Sequence, residues 1–291
     1  MSWRIVVVSN NAKLDYQLGF LVVRKDTTTK IHLNEIAELM LESTAISLTT
    51  SLISELLKRK IKIVFCDEKR NPCGEVLPYY GSHDTSAKLR RQIVWEDNIK
   101  TSVWTEIVSE KIRKQKEHLE QLGKKEEARL LKEYLGEMLL GDVTNREGHA
   151  AKVYFNAIFG MQFTRTEENP VNAALNYGYT VILSAFNREV VNNGYVTQLG
   201  IFHDNMFNPF NLSSDIMEPF RILVDRRVYE MKPQKFEHEE KMQMINVLNA
   251  EVIIAERKEY VNNAIKIYTK SVLDALSEND VSLIRFYKNE L

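Results

Sequence analysis

The chain has 291 residues, 44% hydrophobic and 27% charged, the balance of a soluble globular protein with room for one large domain or two ordinary ones. Its 39 Lys and Arg against 40 Asp and Glu leave a formal charge of −1, which excludes nucleic-acid binding through a global positive field and requires local basic patches instead. Two cysteines, Cys66 and Cys73, no CxxC pair, no signal-like apolar core after Met1 and no apolar run near the roughly 20 residues of a membrane helix lead to the expectation of a cytoplasmic chain with free thiols.

The first eighty residues are strand-rich. Arg4 to Val8, Leu18 to Arg24, Ile31 to Leu33 and Ile61 to Phe65 are short runs rich in β-branched residues, punctuated by Asn10-Asn11, Asp26 and Asp67 to Asn71. Ile36 to Arg59 reads as helical. Pro78-Tyr79-Tyr80-Gly81-Ser82 is a turn-rich boundary, after which the hydrophobic period changes. The expected organisation is therefore α+β: a β-rich domain over residues 1–80, a linker over 81–85 and a larger all-α domain over 86–291.

In that second part Leu89, Ile93 and then Ile99, Val103 and Ile107 recur at intervals of four. Ile112 to Leu140 alternates charge heavily and predicts a solvated helical hairpin broken at Gly123. Its Lys111, Arg113, Lys114 and Lys116 offer part of a phosphate track, weakened by the glutamates between them. Ala250 to Ala275 predicts a further helix.

Three segments carry chemistry. In the first, Thr144-Asn-Arg-Glu147 fits a capping box. A helix from Arg146 to Phe159 would also place Glu147 on the same face as Ala151, Tyr154 and Ile158. That face is apolar, and a carboxylate turned toward it needs a cation. Gly148 carries a helix penalty of about 1 kcal/mol, as where something approaches the backbone closely. His149 points away from Glu147 and reads as a surface residue.

The second segment is Leu199-Gly-Ile-Phe-His203, with an imidazole at the start of a loop rich in Asn, Pro and Ser. The third is Asp215-Ile-Met-Glu218-Pro-Phe-Arg221, in which Asp215 and Glu218 share one side of a helical turn. These acids also suit a helix start with Ser213 or Ser214 as cap. Arg221 is placed to pair with Glu218 or to reach a phosphate. Together, one imidazole, several carboxylates and neighbouring cations suggest divalent-metal chemistry on a phosphodiester. The mixed O/N donors favour Mg²⁺ or Mn²⁺ over zinc.

At these residues, and at Asn172-Ala-Ala-Leu-Asn176-Tyr177-Gly-Tyr179, the sequence resembles the CRISPR-associated spacer-acquisition integrases, with the wording of its motifs nearest those of type II systems. The resemblance spans the chain. It implies a β-rich N-terminal dimerisation domain and a helical catalytic domain. It also implies a homodimer, two copies of which clamp a dimer of a small ferredoxin-like partner in a heterohexamer on double-stranded protospacer and leader–repeat DNA. The RNA-guided nuclease and other adaptation proteins of a type II system are further partners it admits. Carried over position by position, Glu147, His203 and Glu218 are the ligands of Mg²⁺ or Mn²⁺ and Asp215 is the second acidic position of the catalytic site. Glu218 stands where relatives carry aspartate, one methylene shorter. Arg146, Lys152, Arg221 and Tyr177 are candidate DNA contacts, with Tyr154 and Tyr179 as further aromatic candidates. The alternative is a non-catalytic DNA-binding scaffold, in which the acids merely cap helices.

Overall fold

The computed structural model describes residues 4–76, 78 and 82–289. The chain divides into two compact units, Met1–Thr85 with Val191–Gly194 and Ser86–Val190 with Tyr195–Leu291. Tyr79, Tyr80 and Gly81 of the expected boundary lie outside the described residues.

The first unit holds two four-stranded sheets. Strands β1 (Arg4–Val8), β2 (Ala12–Gln17), β3 (Phe20–Arg24), β4 (Thr28–His32), β5 (Ile36–Leu41) and β6 (Ile46–Leu48) precede helix α1 (Thr50–Lys58), and β7 (Lys62–Cys66) and β8 (Pro72–Val76) follow it. Their orders are β1-β5-β7-β8 and β4-β3-β2-β6. Leu14, Leu21, Leu39, Leu52, Leu56 and Ile63 anchor the shared apolar core. The helix expected over Ile36 to Arg59 is confined to α1. Ile36–Leu41 is instead a strand buried at all six positions, because it runs parallel between β1 and β7. Its Ala, Glu, Leu and Met favour helix locally, but ladder pairing and two-sided burial override that weak preference. The hairpin between β2 and β3 turns on Leu18 and Gly19, both at positive φ, so β3 begins two residues later than the apolar run suggests.

The second unit is mainly helical. Its helices are α2 (Thr85–Ile93), α3 (Asp97–Gln121), α4 (Lys125–Gly136), α5 (Arg146–Phe159), α6 (Pro170–Asn192), α7 (Asn211–Ile216), α8 (Arg221–Met231), α9 (His238–Ile245) and α10 (Val261–Glu278). Gly123, at φ 72°, breaks α3 from α4 where the charge pattern predicts. The unit is not all-α. Strands β9 (Glu251–Ile254), β10 (Arg257–Tyr260) and β11 (Lys288–Asn289) form an antiparallel sheet of order β10-β9-β11. The helix expected from Ala250 therefore starts only at Val261. Ala255 and Glu256 make the β9–β10 turn at positive φ without the Asn or Gly that would announce it. Among the described residues, no helix is long and apolar enough to cross a membrane.

Helix α3 is the spine of this unit, packing against α4, α5, α8 and the short 3₁₀ turn Glu218–Phe220. Its cationic residues do not line one open track. Lys114 is buried, donates to the Tyr287 carbonyl at 2.6 Å and pairs with Glu110. Arg113 also pairs with Glu110, and Lys116 pairs with Glu120. Lys111 turns toward α5 and the 3₁₀ turn.

Close packing of α6 on α8 depends on Gly178, where an added Cβ would stand 2.5 Å from Val224 Cγ1 and 3.2 Å from Met244 Sδ. Val224 is β-branched and cannot rotate freely within its helix. Gly178→Ala is expected to lower stability by about 1 kcal/mol, because overpacking of about 1–3 kcal/mol outweighs the gain in helix propensity. Urea unfolding checks this, and a midpoint that rises would contradict it.

Candidate active site

Glu147 enters the site because other groups satisfy the start of its helix. The N-cap of α5 is Asn145, held at φ 53°, whose side chain accepts from the Gly148 N–H at 3.3 Å. Asp142 accepts from the Arg146 and Glu147 N–H groups at 2.7 and 3.0 Å. Thr144 is therefore not the cap, and Glu147 is not a capping acid. Gly148 is needed for local reasons: a Cβ there would come within 2.7 Å of Asn145 Oδ1. Of the expected apolar face, Tyr154 and Ile158 are buried and Ala151 is half-buried, with its neighbour Ala150 buried as well, and His149 is exposed.

His203 is placed by Asp215. The Asp215 carboxylate is fully buried and accepts from the Ile201, Phe202 and His203 N–H groups at 2.6, 2.9 and 3.2 Å. The same carboxylate accepts a hydrogen bond from His203 Nδ1–H. Nδ1 must donate to a carboxylate acceptor, which leaves Nε2 as the ring nitrogen not engaged by Asp215. Gly200 allows this wrapping, since a Cβ would collide with the His203 carbonyl and lie 2.8 Å from Asp215 Oδ2. Further along, Asn211 donates to the Gln198 and Asn205 carbonyls. Neither Ser213 nor Ser214 caps α7, whose N-cap Phe210 makes no side-chain bond. Asp215 and Glu218 thus do not act as a pair: one holds the His203 loop, the other faces α3.

Glu218 is 5% exposed and opens the 3₁₀ turn before α8. Lys111 Nζ lies 2.5 Å from Glu218 Oε2 and also binds Glu147 Oε1, while Arg221 Nε lies 2.8 Å from Glu218 Oε1. Burial alone would raise the Glu218 pKa, but Arg221 and Lys111 outweigh it and hold the carboxyl below its ordinary value. For Lys111, burial is the largest influence and opposes charge. Glu218 and Glu147 reverse that influence and raise its pKa. Sequence reasoning did not identify Lys111 as a partner of these acids, since no spacing links α3 to two segments 36 and 107 residues away.

A small cavity adjoins this cluster, lined in part by Lys111, Gln115, Arg165, Tyr179, Arg221 and Asp225. Arg165 and Arg221 stand 5.3 and 4.8 Å from the Tyr179 ring centre, within cation–π range. The Tyr179 hydroxyl donates to Asp225, whose pKa burial pushes up to about 7. Of the candidate DNA contacts, Lys152 is exposed and Arg146 pairs with Glu137 at 3.0 Å. Tyr177 is 5% exposed and edge-on to Phe236, and Tyr154 and Tyr179 are buried too, so none of the three presents an open face for stacking a base.

The donor types suit a divalent cation. Two carboxylates already converge on one positive nitrogen, and the carboxylates of Glu147 and Glu218 both act electrostatically on His203. They do not form a finished cage: among the described residues, no three His, Cys, Asp or Glu side chains are close enough to hold a metal ion as they stand. Glu147 and Glu218 share Lys111 instead.

Residues 5–255 match the family described as CRISPR associated protein Cas1. The "CRISPR-associated endonuclease Cas1" of Neisseria meningitidis serogroup C is 36% identical over 235 residues, covering 80% of this chain and 77% of the relative. Two solved structures share the fold. A casposase bound to integration product has a TM-score of 0.76 at 15% identity, covering 97% of this chain and 93% of the other. A partial Cas6-RT-Cas1–Cas2 complex has a TM-score of 0.69 at 18% identity, covering 100% of both chains.

The Asp215 bond is the main reason the His203 pKa is raised, with the nearby acids adding to it and burial opposing it. Charge on His203 therefore favours the fold most below its ordinary pKa of about 6.5, and that contribution is lost as pH rises through the raised folded value. Asp215→Asn should move the His203 titration to lower pH, read from imidazole NMR shifts. An unmoved titration would show that Asp215 does not set the ring's charge.

Proposed function

The chain belongs to the Cas1 family of CRISPR-associated proteins, and on that premise we propose that it is a divalent-metal-dependent DNA integrase that inserts short foreign DNA into a CRISPR array. The observation that carries this reading is the meeting of Glu147 and Glu218 around one cation, beside an imidazole that Asp215 fixes by Nδ1. In the proposed reaction, the 3′-hydroxyl of a short duplex attacks a phosphodiester at the leader–repeat junction. One P–O bond forms as another breaks, and the leaving 3′-oxygen carries off the displaced strand. With water as nucleophile, the same site would nick DNA, in keeping with the relative's name as an endonuclease.

Glu147, Glu218 and His203 Nε2 would hold Mg²⁺ or Mn²⁺, which there would polarise the phosphate and stabilise the leaving oxygen. Asp215 keeps His203 in the tautomer that exposes Nε2. Arg221, drawn against Glu218, lies where it can offset charge on a bound phosphate. Lys152 supplies an exposed positive charge, and the near-neutral protein would gather further phosphate contacts by dimerising. The proposed assembly is a homodimer, two copies of which hold a dimer of a small Cas2-type partner. The likeness to a chain from a Cas1–Cas2 complex supports the fold such an assembly needs.

One observation favours the other reading, a DNA scaffold without catalysis: the acids are already neutralised by Lys111 and Arg221. The two readings part on strand transfer of a labelled duplex into a supercoiled leader–repeat plasmid, with Mn²⁺ and the small partner. Glu147→Ala and His203→Ala should each lower product by about a hundredfold or more while leaving duplex binding within a few-fold. Chelator should abolish the wild-type reaction. Equal product from wild type and both variants would remove the assignment.

A further inference from the structure

We propose that Lys111 and the divalent cation compete for the same two carboxylates, and that metal binding moves the Lys111 ammonium into the adjoining cavity. The inference rests on the metal site proposed above and adds to it a residue that is not a ligand. In the structure, Lys111 Nζ occupies the position between Glu147 Oε1 and Glu218 Oε2. A divalent cation drawing on those oxygens would meet a positive charge at hydrogen-bonding distance from both. Two like charges cannot share the pair at that range, so the tethered one must leave.

The cavity offers it a second position. Gln115 lies four residues after Lys111 on α3, one turn along the same face. It is 2% exposed, and its Oε1 is buried without a hydrogen-bond donor. Lys111, Gln115 and Asp225 line one cavity, and the Lys111 charge already acts on Asp225. A buried amide oxygen without a donor is costly, and an arriving ammonium would satisfy it. The two other cations at the cavity are held elsewhere. Arg165 donates to Asn172 and Asn176, each at 2.6 Å, and Arg221 pairs with Glu218. Lys111 would thus keep the buried Glu218 and the half-buried Glu147 paired in the metal-free protein and give them up on loading.

The test measures Mn²⁺ affinity of the full-length, DNA-free protein by electron paramagnetic resonance of free Mn²⁺. Lys111→Met removes the competitor and should tighten Mn²⁺ binding by about tenfold or more. Gln115→Leu removes the receiving oxygen and should weaken Mn²⁺ binding in the wild-type background, but not in the Lys111→Met background. Mn²⁺ should also raise the melting temperature of Lys111→Met more than that of wild type. Equal or weaker binding by Lys111→Met, with wild type still binding through Glu147, overturns the competition and leaves the metal site standing. No Mn²⁺ bound by either protein overturns both. If Lys111→Met fails to fold, an unchanged affinity in Gln115→Leu still overturns the proposal.

Discussion

Two acids pressed into the helical unit need positive charge, and the surroundings of the site follow from that need. Glu218 is nearly buried and stays ionised because Lys111 and Arg221 flank it. Removing one partner of such a buried pair leaves an uncompensated charge and typically costs about 3–5 kcal/mol. The requirement fixes where α3, α5 and the 3₁₀ turn at Glu218 can sit. Each contributes one member of the cluster, and Lys111 reaches two of them at once. A site tied together by one small cation is suited to exchanging that cation for another.

Asp215 solves a different problem. A loop carrying an imidazole at a site tends to be mobile, and its backbone N–H groups need acceptors. One buried carboxylate takes three of those groups and the ring nitrogen as well. The loop conformation and the tautomer of His203 are thereby set together, with Gly200 leaving room for the chain to pass. The result matches the usual support of a metal-ligating histidine, in which an outer carboxylate orients the ring.

Much of this was legible in the sequence, for identifiable reasons. The charge alternation around Gly123 marks a helical hairpin, and the apolar face of α5 marks Glu147 as a carboxylate in need of a cation. What the sequence does not carry is contact between distant segments. Ile36–Leu41 has helix-forming residues, and only its place between two parallel partners makes it a strand. The β9–β10 hairpin turns on Ala255 and Glu256, residues that do not signal a turn. Asp215 looks like a helix-start acid because its acceptor role is visible only once the backbone at Ile201–His203 curls around it. Lys111 and Lys114 look like surface cations, yet both turn inward, one to the acids and one to the Tyr287 carbonyl.

The family and the fold are secured by the match across residues 5–255, whereas the central claim concerns one place: Glu147, Glu218 and His203 converge on a single divalent cation. The most direct measurement is anomalous diffraction at the manganese edge from crystals grown with Mn²⁺. The account predicts one strong peak within about 2.0–2.6 Å of a Glu147 oxygen, a Glu218 oxygen and His203 Nε2. A peak held by other residues, or none there in crystals of protein active in strand transfer, would contradict it.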